Sequence, residues 1–359
     1  MAIPDTYTFC LRNVCAEIQF AGATGSPTPT LSNMLDDTLT AGFDSTYSGT
    51  TSCLRNFRNY KLNDCYTNAC GAMGGGWAYD YVRGYMWGTW SGALCIHRID
   101  PTTNAMTKYT SNVGCAEAIA FDGNCYMWYT GEVQACIGRI DVTNGAVTKY
   151  GSWGKRPYDI VLGNNREMWT ADWLTDNGAY SKITSGGTRT AYTCNCFCRV
   201  LGIAFDGTNI WVAGSGTNNV AKINPSTGAV IGTYSLTGGT MQGCNPYKIV
   251  FNGTDMWTVN TGSDTFSRIS LDGSTITEFS GTTGGISTAR YMAVAGENVW
   301  VTNSNNTLTR ITPSGDLRVY SNNNGTNTAF ALLGVNCDDG RVWVSTCGTA
   351  MSISKFAGY

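Results

Sequence analysis

Residues 202–235 read "GIAFDGTNIWVAGSGTNNVAKINPSTGAVIGTYS". Four short β-prone runs are separated by Asp-Gly, Gly-Ser-Gly and Pro-Ser-Thr-Gly, residues that turn a chain because they tolerate unusual φ or bond to their own backbone. The stretch predicts one four-stranded antiparallel blade, with Trp211 on its second strand and Lys222 on its third.

The same pattern recurs along most of the chain. Tryptophans stand at Trp87, Trp128, Trp169, Trp211, Trp257, Trp300 and Trp343, at intervals of 41 to 46 residues. Ten to thirteen residues after each comes a basic residue followed by an apolar one: Arg98, Arg139, Lys182, Lys222, Arg268, Arg310 and Lys355. An aromatic then closes the unit at Tyr109, Tyr150, Tyr192, Tyr234, Phe279 and Tyr320. A period of this size signals a propeller, and the seven tryptophans predict seven four-stranded blades over 76–359. The tryptophan is expected to fill the gap between blades. The basic residue is expected to pack its aliphatic stem and carry its charge to a carbonyl or carboxylate. The last repeat runs out after three strands, and residues 58–68 are expected to supply the missing strand.

In such a fold the loops entering each first strand and those joining strands two and three emerge on one face. They bring Glu117, Tyr158, Tyr247 and Tyr291 together with Trp90, Trp173 and Asp172, all candidate ligand-binding residues. Aromatics beside acids and hydroxyls suit sugar rings, which stack and hydrogen-bond. Most other Asp residues sit in turns such as Asp122-Gly123, Asp206-Gly207 and Asp272-Gly273, where local hydrogen bonds explain them. The only histidine, His97, falls on a third strand beside Arg98 and reads as a packing residue, so no catalytic residue is assigned.

Composition narrows the partners. The chain of 359 residues holds 23 basic and 25 acidic residues, only 13% charged against about 25% in an average protein. With no basic excess, nucleic-acid binding is not expected. No apolar run approaches the length of a membrane span, so no insertion is expected. Cysteine is abundant, at 15 residues, and several (Cys95, Cys115, Cys136, Cys194, Cys196, Cys198, Cys244 and Cys347) map to the loop-rich face. Their pairing is open. "CNCFC" at 194–198 lacks zinc-site spacing, and neither metal nor cofactor is expected. The N-terminus lacks the basic and apolar regions of a secretory signal, which suggests synthesis in a cytoplasm without export by that route.

"NIWVAGSGTNNVAKINPSTGAV" and "NVWVTNSNNTLTRITPSGDLRVY" resemble the propellers of the virginiamycin B lyase type over about residues 74–359. That family works with a histidine general base and a magnesium ion beside acidic residues. The resemblance therefore implies a fold, while the single histidine here argues against its activity, and the expectation is a protein that is not an enzyme.

The first 62 residues do not share the repeat. "CLRNVCAEIQ" (10–19) and "SNMLDDTLTAG" (32–42) have the spacing of short amphipathic helices, giving a small, mostly α module. Residues 63–75 form a Gly-rich linker. "MAIPDTYTF" and "FDSTYSGTTSCLRNFRNY" resemble the N-terminal module of tail and fibre proteins of phages infecting Bacteroidetes. Two positions depart from that pattern, Cys10 for Ser and Ser45 for Pro. The resemblance implies virion attachment through Phe43, Tyr47, Leu54, Phe57, Arg58 and Tyr60. The resulting expectation is an all-β propeller displayed in multiple copies on a virion, bound to other virion proteins and directed at host surface glycan. The alternative is a polysaccharide depolymerase or lyase.

Overall fold

Alternating apolar residues bounded by turn signals do form strands where the repeat places them. The computed structural model describes residues 76–357 except 91–93, 104, 111, 132, 152–155, 174–177, 237–243, 281–288, 305–306, 322–330, 337–340 and 348–352. Residues 65–354 make up one of the chain's two compact units. The N-terminal helices, the linker and the attachment residues lie outside the described residues, as does the proposed closing strand at 58–68.

Among the described residues, six sheets have four strands each, connected in simple up-and-down order, and a further sheet has three. Their first strands are Trp77–Asp80, Ala116–Phe121, Pro157–Leu162, Val200–Phe205, Pro246–Phe251 and Tyr291–Ala295, followed by Ala331–Asn336 in the three-stranded sheet. Successive first strands lie side by side, and Ala331–Asn336 neighbours both Tyr291–Ala295 and Trp77–Asp80. The expected count of seven four-stranded blades is corrected to six. A tryptophan on a second strand records only that a sheet has begun. The closing aromatic on a fourth strand records its completion, and that mark occurs six times. Among the described residues there is no α-helix, only a single 3-10 turn at Asn164–Arg166.

Two columns hold the blades together. Six of the tryptophans on second strands lie directly opposite the basic residue on the third, as in Trp128 with Arg139, Trp211 with Lys222 and Trp257 with Arg268. Trp87, Trp128, Trp169, Trp211 and Trp257 have no exposed surface. The bases cover the indole faces, with the Lys222 ammonium 5.3 Å from the Trp211 ring centre. They also reach the following blade: Lys222 Nζ donates to the Leu271 carbonyl at 2.7 Å, and Arg268 donates to that of Pro313. Packing stem and distant carbonyl thus come from one side chain, as expected.

The closing aromatic extends the stack. Tyr192 stacks on Trp169 at 5.8 Å and Tyr234 on Trp211 at 5.5 Å. Five such aromatics, Tyr109, Tyr150, Tyr192, Tyr234 and Phe279, then press on a turn glycine of the next blade. A Cβ on Gly228 would lie 2.0 Å from the Tyr192 ring, and one on Gly273 would lie 1.7 Å from that of Tyr234. These glycines also have positive φ, 72° at both, a conformation that costs an L side chain about 1 kcal/mol or more. Threonines on second strands add hydrogen bonds between blades. The Thr89 hydroxyl accepts from the Gly76 amide at 3.1 Å and donates to the Glu117 carbonyl at 2.8 Å.

Gly207 has φ 93° but open space around its Cβ position, so it separates the two penalties. Both Gly207→Ala and Gly228→Ala should destabilise the propeller through backbone strain. Gly228→Ala should cost about 1 to 3 kcal/mol more, because Tyr192 must leave its stack. Denaturant midpoints of the two variants would check this, and equal losses would contradict the interblade contact.

Candidate functional site

The axial channel encloses a cavity of about 290 Å³ bordered by the first strands. Glu117, Tyr158 and Tyr247 occupy matching places at register shifts that open three of them, Tyr291 stands one position further along a fourth, and the four side chains meet. The Tyr291 hydroxyl donates to Glu117 Oε1 at 3.3 Å, and the hydroxyls of Tyr158 and Tyr247 touch across the channel. Trp173 packs edge-on against Tyr158, ring centres 6.3 Å apart. Five of the seven candidate residues are therefore brought together.

Trp90 and Asp172 are not part of this group. Trp90 is buried, with Trp77 edge-on at 5.8 Å. Asp172 is buried beneath the sheet surface, where its carboxylate accepts from Thr170 at 3.0 Å, Ser181 at 2.6 Å and Arg189 at 2.9 Å. Those donors use the oxygens that a ligand would need. The loop assignment missed that Asp172 ends a strand whose side chain is enclosed by the neighbouring one.

Charged residues one step along the first strands complete the cavity. Lys248 Nζ meets Asp159 Oδ2 at 2.5 Å. The same carboxylate accepts from the backbone amides of Ile160 and Ile203, both at 3.0 Å. Lys248 belongs to the fifth blade and Asp159 to the third, so the ion pair crosses the fourth. It passes where that blade carries Gly202, whose added Cβ would lie 2.8 Å from the Tyr247 carbonyl oxygen. The two charges, in "PYDIV" and "PYKIV", fall at a register position held in other blades by Gly202 and Tyr291. Arg290 and Arg156 also border the group: Arg290 lies 5.7 Å from the Tyr247 ring centre and Arg156 lies 5.6 Å from that of Trp173.

These surroundings fix the protonation of the phenols. Burial, then the neighbouring Tyr291, Tyr247 and Glu117, pushes Tyr158 far above the ordinary range of a phenol. Tyr291 is pushed up by burial and by Glu117 and Tyr247. At neutral pH both are protonated hydrogen-bond donors, and neither is a base.

The histidine and magnesium centre that the lyase resemblance implies does not fit the described residues. No group of three or more His, Cys, Asp or Glu able to hold a metal occurs among them, and Asp159 is committed to Lys248 and two amides. His97 is buried against Trp90, ring centres 4.3 Å apart, with Cys95 Sγ 3.8 Å from its Nδ1. Burial, helped by Lys108, lowers its pKa to about 4. Of the cysteines on the expected loop-rich face, Cys194 and Cys196 form a disulfide, whereas Cys115, Cys136 and Cys198 are free thiols.

A family model described as "Virginiamycin B lyase family" matches residues 80–352. A catalytically inactive histidine-to-alanine form of virginiamycin B lyase from Staphylococcus aureus, solved with quinupristin, is similar at 21% identity. It covers 83% of this chain and 97% of its own, with a TM-score of 0.69. A streptogramin B lyase structure matches at 20% identity over 81% of this chain and 97% of its own, with a TM-score of 0.66. Nothing among the curated proteins matches the chain. The expectation of a protein without enzymatic activity is thereby corrected, because the matched family is one of enzymes. The inference from a single histidine treated one catalytic solution as a condition of activity.

Because the folded pKa of His97 lies below the ordinary 6.5, the unfolded chain binds the proton more tightly between about pH 6.5 and 4. Stability is then full above that window and falls as the pH drops through it, by about 2 to 3 kcal/mol from this group. Thermal unfolding from pH 7 to 4 should show a shallower decline in His97→Gln than in the parent. An identical slope would contradict the assignment.

Proposed function

Since the chain belongs to the virginiamycin B lyase family, we propose that its channel cavity is an active centre for a surface glycan and that residues 1–62 tie it into a virion. The observation that carries the first part is the convergence of three phenols and a carboxylate on one cavity, with the Trp173 indole packed against one of the phenols. Sugar rings offer apolar C–H faces to aromatic rings, and their hydroxyls both donate and accept hydrogen bonds. Glu117 is an acceptor for such a hydroxyl, and the protonated Tyr158 is a donor.

A lyase breaks a bond by elimination, which needs a group to accept a proton and another to protonate the departing oxygen. In this reading Glu117 accepts and a phenol donates. The chain's own groups thus supply both roles without His97, which is enclosed on a third strand.

Support for the second part is the N-terminal sequence with Phe43, Tyr47, Leu54, Phe57, Arg58 and Tyr60, similar to modules of phage tail and fibre proteins. A virion component would carry the propeller in many copies to host surface polymers and raise its avidity there.

Purified chain incubated with polysaccharide from a host surface should bind it and release fragments with unsaturated ends, followed by ultraviolet absorbance. Glu117→Gln should lower the rate by about 100-fold or more while binding persists. Tyr158→Phe should weaken binding by roughly tenfold, near 1.4 kcal/mol. Absence of binding across a panel of surface polymers would refute the glycan reading. Separately, peptides of this chain should be detected in purified phage particles and vanish when residues 1–62 are deleted; particles free of the full-length chain would refute the virion reading.

A further inference from the structure

The segment "CNCFC" at 194–198 joins the last strand of the third blade, Arg189–Cys194, to the first strand of the fourth, Val200–Phe205. None of its residues borders the channel cavity. Cys194 and Cys196 are joined by a disulfide, and Cys198 is a free thiol. All three are half-buried, and Asn195, inside the bridged loop, is exposed.

A disulfide stabilises a fold by restricting the unfolded chain, and the restriction grows with the loop it encloses. This bridge spans a sequence separation of two, so it removes little freedom from the unfolded chain. The segment is fastened by other means. Asn219 Nδ2 donates to the Cys196 carbonyl at 2.7 Å, the Gly178 amide to that of Phe197 at 2.5 Å, and the Gly216 amide to that of Cys198 at 3.1 Å. The Phe197 ring is buried against Gly178, where an added Cβ would lie 1.9 Å from it. Residues 196–198 are therefore held without the bridge.

The two bridged sulfurs differ. The Cys196 amide donates to Cys194 Sγ at 3.1 Å, and a donor favours the sulfur on which negative charge develops. When a thiolate attacks a disulfide, the sulfur that bears the charge better departs. We propose that Cys194–Cys196 is a thiol–disulfide exchange site for a small thiol, with Cys196 the sulfur attacked and Cys194 the leaving group. The incoming thiolate bonds to Cys196 Sγ, the Cys194–Cys196 bond breaks with its electron pair on Cys194, and Cys194 takes up the proton that the thiol lost. Return of Cys194 to Cys196 expels the small thiol and restores the bridge, so the cycle needs no oxidant. Cys198 takes no part: its sulfur rests on Gly216, 2.4 Å from where a Cβ would stand. The site is independent of the channel and of the glycan reading.

The test incubates the full folded chain with excess reduced glutathione in the absence of oxygen, quenches with acid, and locates the added mass within the peptide 190–199. Reduced glutathione adds only to a sulfur already in a disulfide, so an adduct there reports this bridge. Cys196 should carry at least about tenfold more adduct than Cys194, and Cys198→Ser should leave the yield unchanged. The double variant Cys194→Ser, Cys196→Ser should melt within about 4 °C of the parent. A bridge that glutathione opens in urea but not in the folded chain would overturn the exchange site. Adduct mainly on Cys194 would overturn the assignment of the leaving group, and a severalfold change in Cys198→Ser would overturn Cys194 as the partner that returns. A much larger fall in melting temperature would show the bridge to be a structural staple.

Discussion

The contact between a closing aromatic and the turn glycine of the following blade is the constraint on which the propeller depends. A sheet of four strands cannot bury both faces by itself, so each blade must find the next at a fixed distance and angle. The tryptophan sets the spacing, the closing aromatic stacks upon it, and the glycine admits that aromatic ring. The basic residue fastens the same junction by crossing to a carbonyl of the next blade. Because this assembly repeats, the first strands arrive at the axis in register, and residues far apart in the chain converge there.

Register then determines chemistry. Glu117, Tyr158 and Tyr247 share one place in the repeat, at the register shift that opens a first strand, and Tyr291 joins them from the next position along. Where the repeat prescribes packing, the residues scarcely vary. At the entry of the first strands they vary freely, because those side chains face a cavity more than a neighbouring blade. Selection for binding can act there without disturbing the stack that holds the blades.

Much of this was legible in the residues. Periodicity revealed the blades, the strands that carry each column, and the meeting of Glu117 with the three tyrosines. The count differs because the seventh repeat, which runs out after three strands, was expected to be completed by residues 58–68, and among the described residues its sheet has three strands only. Trp90 and Asp172 were misplaced because a loop assignment says nothing about whether a neighbouring strand covers a side chain. Asp159 and Lys248 escaped notice because an ion pair between residues 89 apart leaves no local pattern. The expectation about catalysis failed for another reason: residue identity at one position was allowed to speak for a family defined over most of the chain.

The ion pair that spans the fourth blade has a consequence for how this protein can change over generations. Repeat proteins ordinarily gain or lose units by duplication and deletion, since each unit answers only to its neighbours. Here the third and fifth blades answer to one another as well, through Asp159 with Lys248 and Tyr158 with Tyr247, and the fourth must carry Gly202 between them. Those three repeats are inherited as a block. Recombination that shuffles blades elsewhere leaves the channel pairing intact, while a crossover inside the block separates both pairs at once.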